Sequence, residues 1–417
     1  MDKYVVMFKG GVETQEYFSI EMSKIFEEHG WKVYWFDLIV SERSTQQLYK
    51  FYQNNKGSKF IAFTFNHNGI AGEEGLYDEA FSSFEPSCAN FWDYADIHVY
   101  NMVVDHPLYY HQYIAIRPKK YTQISIDKNH IKYMQRFFPE VDVRGAAGFV
   151  PLGGTELNSD KSVIADAKYI PIKDRKIDVI FTGNYTPPKR FDKYISGMAQ
   201  EYKDFYYELV DEAIDNPNEL IEVLAENKFL REAEEFTQEE LKMCMPNMMF
   251  VDLSVRFHYR AKVIAALADS GIKVHTFGAG WDLLECRHPE NIIKAGSVNS
   301  QECLDMISQS KISVNVMPWF KDGAHDRIFN SMLNGAVVLS DTSQYLLEEF
   351  SDNKDILFYS LKGRDVGTNI DNIGERVRDI LKDNDKMQAI ADAGYNRCIG
   401  RHTWKERTEQ ILKMIYD

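Results

Sequence analysis

The most constraining stretch of this 417-residue chain is ISVNVMPWFKDGAHDRIFNSMLNGAVVLSD, residues 312–341. Ile312, Val314 and Val316 alternate with polar residues, so the segment opens as a strand, and Met317-Pro318 ends it. A loop follows at 319–323. Residues 324–334 read as a helix that stops at Gly335, a residue free to take the left-handed conformation that closes helices. Residues 336–339 (AVVL) are apolar without interruption, the pattern of a parallel strand covered on both faces, and they end in Ser340-Asp341. In open α/β sheets, ligands sit at the carboxyl ends of strands, often against a helix N-terminus. Asp322, Gly323, His325, Asp326 and Arg327 therefore stand where an anion would be held, and Asp341 ends the next strand.

The chain's beginning follows the same grammar. Residues 4–8 (YVVMF) form a strand running into Lys9-Gly10-Gly11, and Thr14 is placed to cap a helix extending to 28. Residues 31–38 give the second strand. The glycines lack the spacing of a dinucleotide fingerprint, so Gly10-Gly11 reads either as close approach of backbone to a phosphate or as a tight turn. A helix near 44–54 and strands near 59–65, 97–104 and 121–126 follow. Three of these strands end in polar, His-containing loops. In a parallel sheet this puts His67, Asp105, His106, Asp127 and His130 on one edge. Asp105-His106 is the favoured acceptor-side pair, against the plainer reading of His106 and His130 as capping residues. Residues 141–152 read as a last strand of this half. The polar, turn-rich run 153–175 reads as the crossing to a second domain.

Residues 176–181 (KIDVIF) start that second half and lead into Thr182-Gly183-Asn184. The acidic, helix-patterned run 192–247 reads as an insertion. Asp252 or Ser254 would cap the next helix, which ends at Gly271. On it Arg256 and Arg260 share a face with Val263 and Leu267. Two arginines on an apolar face are costly to bury without an anionic or acidic partner. A strand at 272–277 exits through Gly278-Ala279-Gly280-Trp281.

With these residues in view, the region 176–341 resembles the donor-binding half of GT-B glycosyltransferases, in the style of retaining family 4. That pattern has a Glu, seven residues, a second Glu, then a small residue and glycine before an apolar strand. Asp322 stands at the first acidic position and Asn330 at the second. Arg327-Ile328-Phe329-Asn330 is closer to the CgeB-like bacterial group called glycosyltransferase family 1. Residues 292–298 (IIKAGSV) are similar to that family's strand and F-L-G-x-V loop.

The resemblance implies an α/β chain of two Rossmann-like domains facing a cleft. Residues 1–155 would be the acceptor side, 176–400 the donor domain with its helical insertion at 192–247, and 401–417 a terminal helix crossing back to the first domain. It implies a sugar nucleotide, UDP-linked by preference, as co-substrate, with no metal or other cofactor and retention of configuration. If Asp105 or His106 acts as a base, inversion follows instead. In the carried-over roles, Asp322 accepts sugar hydroxyls and Asn330 contacts ribose. The candidates to stabilise the diphosphate are Arg327, Arg256, Arg260 and the helix after Gly323, with His325 and Asp341 beside them, although acids of the insertion could pair Arg256 and Arg260 instead. Gly183, Gly278, Gly296 and Val298 line the nucleotide, and Trp281 either packs near the base or lids the sheet. Lys189-Arg190 either reaches phosphate or is a solvated helix start.

Composition removes other classes. A formal charge of −15 argues against nucleic acid as the main partner. No run of 18 apolar residues exists, so no spanning helix is expected, and the N-terminus lacks the pattern of a signal peptide. Five scattered cysteines suit reduced thiols and a cytoplasmic setting. The aromatic content, 13%, suits sugar stacking and ordinary cores alike. The acceptor, whether glycan, protein or small molecule, is not specified. Two other readings stay open: a nucleotide-sugar epimerase on the same fold, and a non-catalytic binder, which the loss of both glutamates would favour.

Overall fold

The computed structural model describes residues 2–70, 76, 90–157, 168–232, 236–363 and 366–416. Cys88 and the middle of the expected crossing, 158–167, lie outside them. The chain divides into two units, one of Met1–Leu152 with Trp404–Asp417 and one of Gly153–Thr403.

Unit 1 is a five-stranded parallel sheet in the order β2-β1-β3-β4-β5. Its strands are β1 (Lys3–Lys9), β2 (Lys32–Asp37), β3 (Lys59–Phe65), β4 (His98–Val103) and β5 (Tyr121–Ser125). Tyr4 to Phe8 are all buried, because helices cover both faces of β1. The Glu13–Glu28 and Trp404–Tyr416 helices pack together, with the Phe18 and Trp404 rings 4.6 Å apart. Trp31 Nε1 donates to the Tyr416 hydroxyl at 3.1 Å. Truncating a buried aromatic of this kind costs about 3–5 kcal/mol, so the terminal helix is part of the unit's core.

Two local expectations differ. Thr14 lies inside its helix, whose N-cap is Val12 with no side-chain cap; Glu16 instead accepts from Gly10 N at 2.7 Å. Residues 141–152 form isolated bridges from Asp142 to Thr122 and from Phe149 to Ser125 rather than a strand. Arg144 and Gly145 both take positive φ, which breaks the extended run between the bridges.

Unit 2 is a six-stranded parallel sheet in the order β11-β10-β9-β6-β7-β8. Its strands are β6 (Ile177–Thr182), β7 (Val274–Phe277), β8 (Ile292–Gly296), β9 (Ser310–Asn315), β10 (Val337–Asp341) and β11 (Leu357–Tyr359). The chain runs outward from β6 to β8, then returns to pair β9 against β6 on the other side, with Val179 opposite Ile312 and Phe181 opposite Val314. The β6/β9 junction is thus where the strand order reverses, the place such sheets bind ligands.

The insertion folds as helices Gln200–Asp215, Ile221–Glu232 and Gln238–Cys244. Within it the nearly buried Lys228 ammonium is satisfied by Glu208 at 2.7 Å and Glu232 at 2.6 Å. The helix carrying Arg256 and Arg260 runs Met248–Asp269, so Asp252 and Ser254 are internal rather than caps. The preceding turn at Met245–Asn247 feeds straight into it. Gly335 (φ 71°) closes the Asp326–Leu333 helix as expected. Among the described residues no helix is long and apolar enough to cross a membrane.

Candidate functional site

Arg327 spans the β6/β9 junction. It sits in the first turn of the Asp326–Leu333 helix and is 7% exposed. Its Nε donates to Thr182 Oγ1 at the end of β6 (3.1 Å), and its Nη1 donates to Asn315 Oδ1 at the end of β9 (2.6 Å). Asn315 is itself held, its Nδ2 donating to Ser340 Oγ at 2.9 Å and its carbonyl accepting from the Tyr359 hydroxyl at 2.7 Å. The guanidinium is therefore fixed by groups from both sides of the switch point.

Arg260 reaches the same place from the Met248–Asp269 helix. It is 7% exposed, its Nη1 donates to the Asn184 carbonyl, and its Nε has no hydrogen-bond partner among the described residues. Its guanidinium lies 5.5 Å from the Phe181 ring, 4.8 Å from Phe257 and 5.9 Å from Trp319. Burial, then the neighbouring Arg327 and Arg256, push Arg260 well below the usual arginine range. Burial lowers Arg327 too, with Asp326 opposing it. Arg256 lies over Trp319, 4.0 Å from the ring centroid, and is paired with Asp252 on its own helix at 2.9 Å. A buried cation with an unpartnered N–H, repelled by two others, has the capacity to take an anionic partner.

Two chain reversals make room for this cluster. Gly278 (φ 140°) turns the exit of β7 so closely against β6 that a Cβ there would lie 2.5 Å from the Gly183 carbonyl oxygen. A Cβ on Gly183 would approach Arg327 Nη2 at 3.2 Å. Trp281 braces the pair. It is 2% exposed, its Nε1 donates to the Gly183 carbonyl at 2.9 Å, and its ring stacks on Tyr185 with centroids 5.5 Å apart. It braces the loop from beneath: Tyr185 stacks on it, Phe181 packs at a steep angle with centroids 5.3 Å apart, and its N–H is taken by the Gly183 carbonyl.

The 318–325 loop carries Asp322, half-buried, and Gly323, whose carbonyl accepts from Ser343 Oγ at 2.7 Å. Lys321 in this loop donates to the Pro217 carbonyl, so the insertion's first turn is tied to the site. Asp341 at the end of β10 is buried. Both its oxygens accept from Met317 N, at 2.9 and 3.0 Å, and burial pushes its carboxyl up to about 7.

His325 is the N-cap residue of the Asp326–Leu333 helix and is one-quarter exposed, with Nδ1 2.6 Å from Asp326 Oδ1. Burial, then Arg327, lowers the His325 ring, while Asp326 opposes. Burial works to raise the Asp326 carboxyl, but His325 and then Arg327 outweigh it and hold it low.

Asn330 has a different occupation from the expected ribose contact. Its Oδ1 accepts from Thr155 N (2.9 Å) and its Nδ2 donates to Asp326 Oδ2 (2.9 Å). Asn334, one turn on, repeats the pattern with Leu157 N and the Thr155 carbonyl. Both amides fasten the strand-like segment 153–157 to this helix. Gly296, exposed at the end of β8, accepts from Gly278 N at 2.8 Å, and Val298 packs half-buried against Ile180, Phe277 and Ile307. Lys189 and Arg190 are both exposed.

In unit 1, Asp105 Oδ2 accepts from Asn66 Nδ2 (3.1 Å) and from the Tyr110 hydroxyl (3.2 Å) at the end of β4. His106 caps the next turn, its Nδ1 accepting from Leu108 N at 3.1 Å, and packs on His130 and Tyr133. Asp127 caps the Lys128–Phe137 helix. His67 is fully enclosed by Tyr110, Tyr113 and Tyr121, and burial pushes its ring down to about 3. At this sheet's own reversal, β1/β3, a small cavity is lined by Gly11, Gln15, Thr64 and Asn68.

The residues that sequence reasoning missed are Thr182, Asn184, Asn315 and Trp319. Each is a polar or aromatic residue at the carboxyl end of an apolar strand, which is the signal that could have found them.

Known proteins share this fold. The model of a family described as glycosyl transferase-like matches residues 260–413. No curated protein matches the sequence. Similar solved structures include sucrose-phosphate synthase from Thermosynechococcus elongatus, at 9% identity, 99% of this chain, 98% of that chain and a TM-score of 0.53. The Anabaena protein HepE in complex with UDP-glucose is similar at 9% identity, 99% of each chain and a TM-score of 0.52. AviGT4, a glycosyltransferase involved in avilamycin A biosynthesis, is similar at 10% identity, 100% of this chain, 97% of that chain and a TM-score of 0.50. The fold is that of the GT-B enzymes. With the family match, which runs from Arg260 through the whole Arg327 helix, the chain stands as a glycosyltransferase.

Proposed function

We propose that this chain transfers a sugar from a nucleoside-diphosphate sugar, UDP-linked, to an acceptor hydroxyl, with retention of configuration and with no metal at the diphosphate. The observation that carries the reading is the arginine cluster at the β6/β9 reversal, with its unpartnered, buried Arg260 Nε. Arg327 and Arg260 take the diphosphate and stabilise the charge that develops on it as the sugar leaves. Asp322 accepts sugar hydroxyls, since an ionised carboxylate can take two such bonds. HepE binding UDP and UDP-glucose supports uridine as the base. Asp105 and His106 are the acceptor-side candidates in unit 1, where Asn66 and Tyr110 orient the carboxylate.

The test is thermal unfolding with UDP, GDP, dTDP, CDP and ADP and their sugar conjugates, each with and without EDTA. A ligand at about a hundred times its Kd adds roughly 2.7 kcal/mol, which raises Tm by several degrees in a domain of this size. The expected result is a shift with UDP and UDP-sugars that EDTA leaves unchanged. No shift with any nucleotide would remove the donor site.

A further inference from the structure

His325 is more than another residue in the donor loop, because its ring is oriented by a relay of one backbone N–H and two side chains. Thr155 N–H points at Asn330 Oδ1, at 2.9 Å. That contact leaves the amide no freedom to flip, so Asn330 Nδ2 must face Asp326, and it donates to Oδ2 at 2.9 Å. The other Asp326 oxygen lies 2.6 Å from His325 Nδ1. A nitrogen that close to an ionised carboxylate carries a proton. The alternative tautomer, with Nδ1 accepting from Arg327 N at 3.2 Å, would set a bare nitrogen lone pair 2.6 Å from a carboxylate oxygen, so the shorter Asp326 contact decides where the proton sits. With Nδ1–H committed to Asp326, the neutral ring presents Nε2 as a bare lone pair, and Nε2 has no hydrogen-bond partner among the described residues.

The surroundings of the ring are cationic on one side and apolar on the other. Arg327 lies on its own helix. Arg260 faces it from the Met248–Asp269 helix, with Arg256 one turn earlier and already paired to Asp252. The rings of Trp319 and Phe320 lie 6.2 and 6.4 Å away. Asp322 lies in the same loop, and Asp326 is the acid in contact with the ring. Without a ligand this setting disfavours a further positive charge. A diphosphate reverses it, because two or three negative charges then face the ring. A bare Nε2 beside a phosphate oxygen sets lone pair against lone pair, whereas a protonated Nε2 donates a charge-assisted hydrogen bond.

We propose that binding of the diphosphate is coupled to uptake of a proton on His325, so that an imidazolium, held by Asp326 and Asn330, faces the leaving group together with Arg260 and Arg327. This rests on the donor-site reading above. His325 is then a catalytic residue in contact with substrate, and Asp326 and Asn330 are positioning residues. The sign follows from linkage. A histidine whose pKa rises on binding makes affinity grow as pH falls, by up to tenfold per unit between its free and bound values. That window opens below the ordinary histidine range, where burial and Arg327 hold the free ring.

The experiment is titration calorimetry of the full chain with UDP between pH 5.5 and 8, in buffers of different ionisation enthalpy, which counts protons taken up. UDP itself titrates in this range, so the comparison is between wild type, His325→Gln and Asp326→Asn, each first shown by thermal unfolding to be folded. The expected result is that wild type takes up close to one proton more than His325→Gln near neutral pH, with Asp326→Asn lying between. Equal uptake by His325→Gln and wild type would overturn the proposal and leave the donor site standing. Failure of UDP to bind wild type at all would instead remove the donor site, and this inference with it. If His325→Gln does not fold, Asp326→Asn decides alone, since a purely structural carboxylate would leave proton uptake unchanged.

Discussion

Arg260 gives the sharpest separation of stability from function, and Arg260→Met is the perturbation that exposes it. In the ligand-free protein Arg260 is a buried cation beside Arg327 and Arg256, and its one hydrogen bond is to the carbonyl of exposed Asn184. Methionine keeps most of the side chain's length and its contacts with Phe181, Phe257 and Trp319. The Asn184 carbonyl is free to bond water instead. The lost hydrogen bond to a charged group is worth about 1.5–3 kcal/mol. Replacing a buried ion pair by apolar side chains of similar volume is often neutral or returns about 1–4 kcal/mol, and among the described residues Arg260 has no acidic partner that its removal would strand. These two quantities nearly cancel, so the apo protein should unfold at the wild-type temperature or somewhat above it, at about 2–4 °C per kcal/mol. With the diphosphate present the balance reverses. Wild type gains a charge-assisted bond that the variant lacks, and the loss of roughly 1.5–3 kcal/mol corresponds to about 10- to 150-fold in affinity. The assay is differential scanning fluorimetry with and without UDP, backed by calorimetric Kd values. If Arg260→Met lowers the apo Tm by several degrees and leaves UDP affinity unchanged, the arginine is a structural tie and the argument from its unpartnered Nε is wrong.

Two further perturbations test other parts of the site. Asn330→Glu restores the family's second acid but sets a carboxylate beside Asp326 Oδ2, where an amide N–H now donates at 2.9 Å. It should cost about 1–3 kcal/mol at pH 8, less as pH falls and the pair gains a proton, without improving UDP binding; an unchanged urea midpoint at pH 8 would contradict this. Asp341→Asn removes a carboxyl that burial raises to about 7. A raised folded-state pKa gives stability that is full below the unfolded value near 4 and is lost as pH rises through 7. Wild-type unfolding free energy should therefore fall across that window, by at most about 1.4 kcal/mol per pH unit from this group, and Asp341→Asn should flatten the fall. Parallel pH profiles would show that the carboxyl is not the source.

What was legible in the sequence was whatever a local period controls. Alternation at 312–316, the uninterrupted 336–339 run and Gly335 fix a βαβ unit without reference to the rest of the chain, and the structure forms it with β9, the Asp326–Leu333 helix and β10. The same periods gave the strands of unit 1. What local period does not control was misread: helix starts at Thr14 and Asp252, where the chain enters its helix before the residue expected to cap it, and an extended run at 141–152 that Arg144 and Gly145 break.

The site divides along the same line. Arg327 stood out because it lies beside the helix start, yet what holds it is Thr182, 145 residues away, and no pattern in either segment announces the other. Asn330 shows the cost of this most clearly. By spacing it is a degraded ribose contact, a sign of lost function. By contact it is the joint between Thr155, 175 residues earlier, and the Asp326–His325 pair. A glutamate there could not donate to Asp326, whose far oxygen would lose the N–H that fixes the carboxylate's orientation toward His325. The amide at 330 and the acid at 326 therefore work as one pair. The departure from the family pattern that had spoken for a decayed enzyme instead supplies the support that a proton-carrying histidine needs.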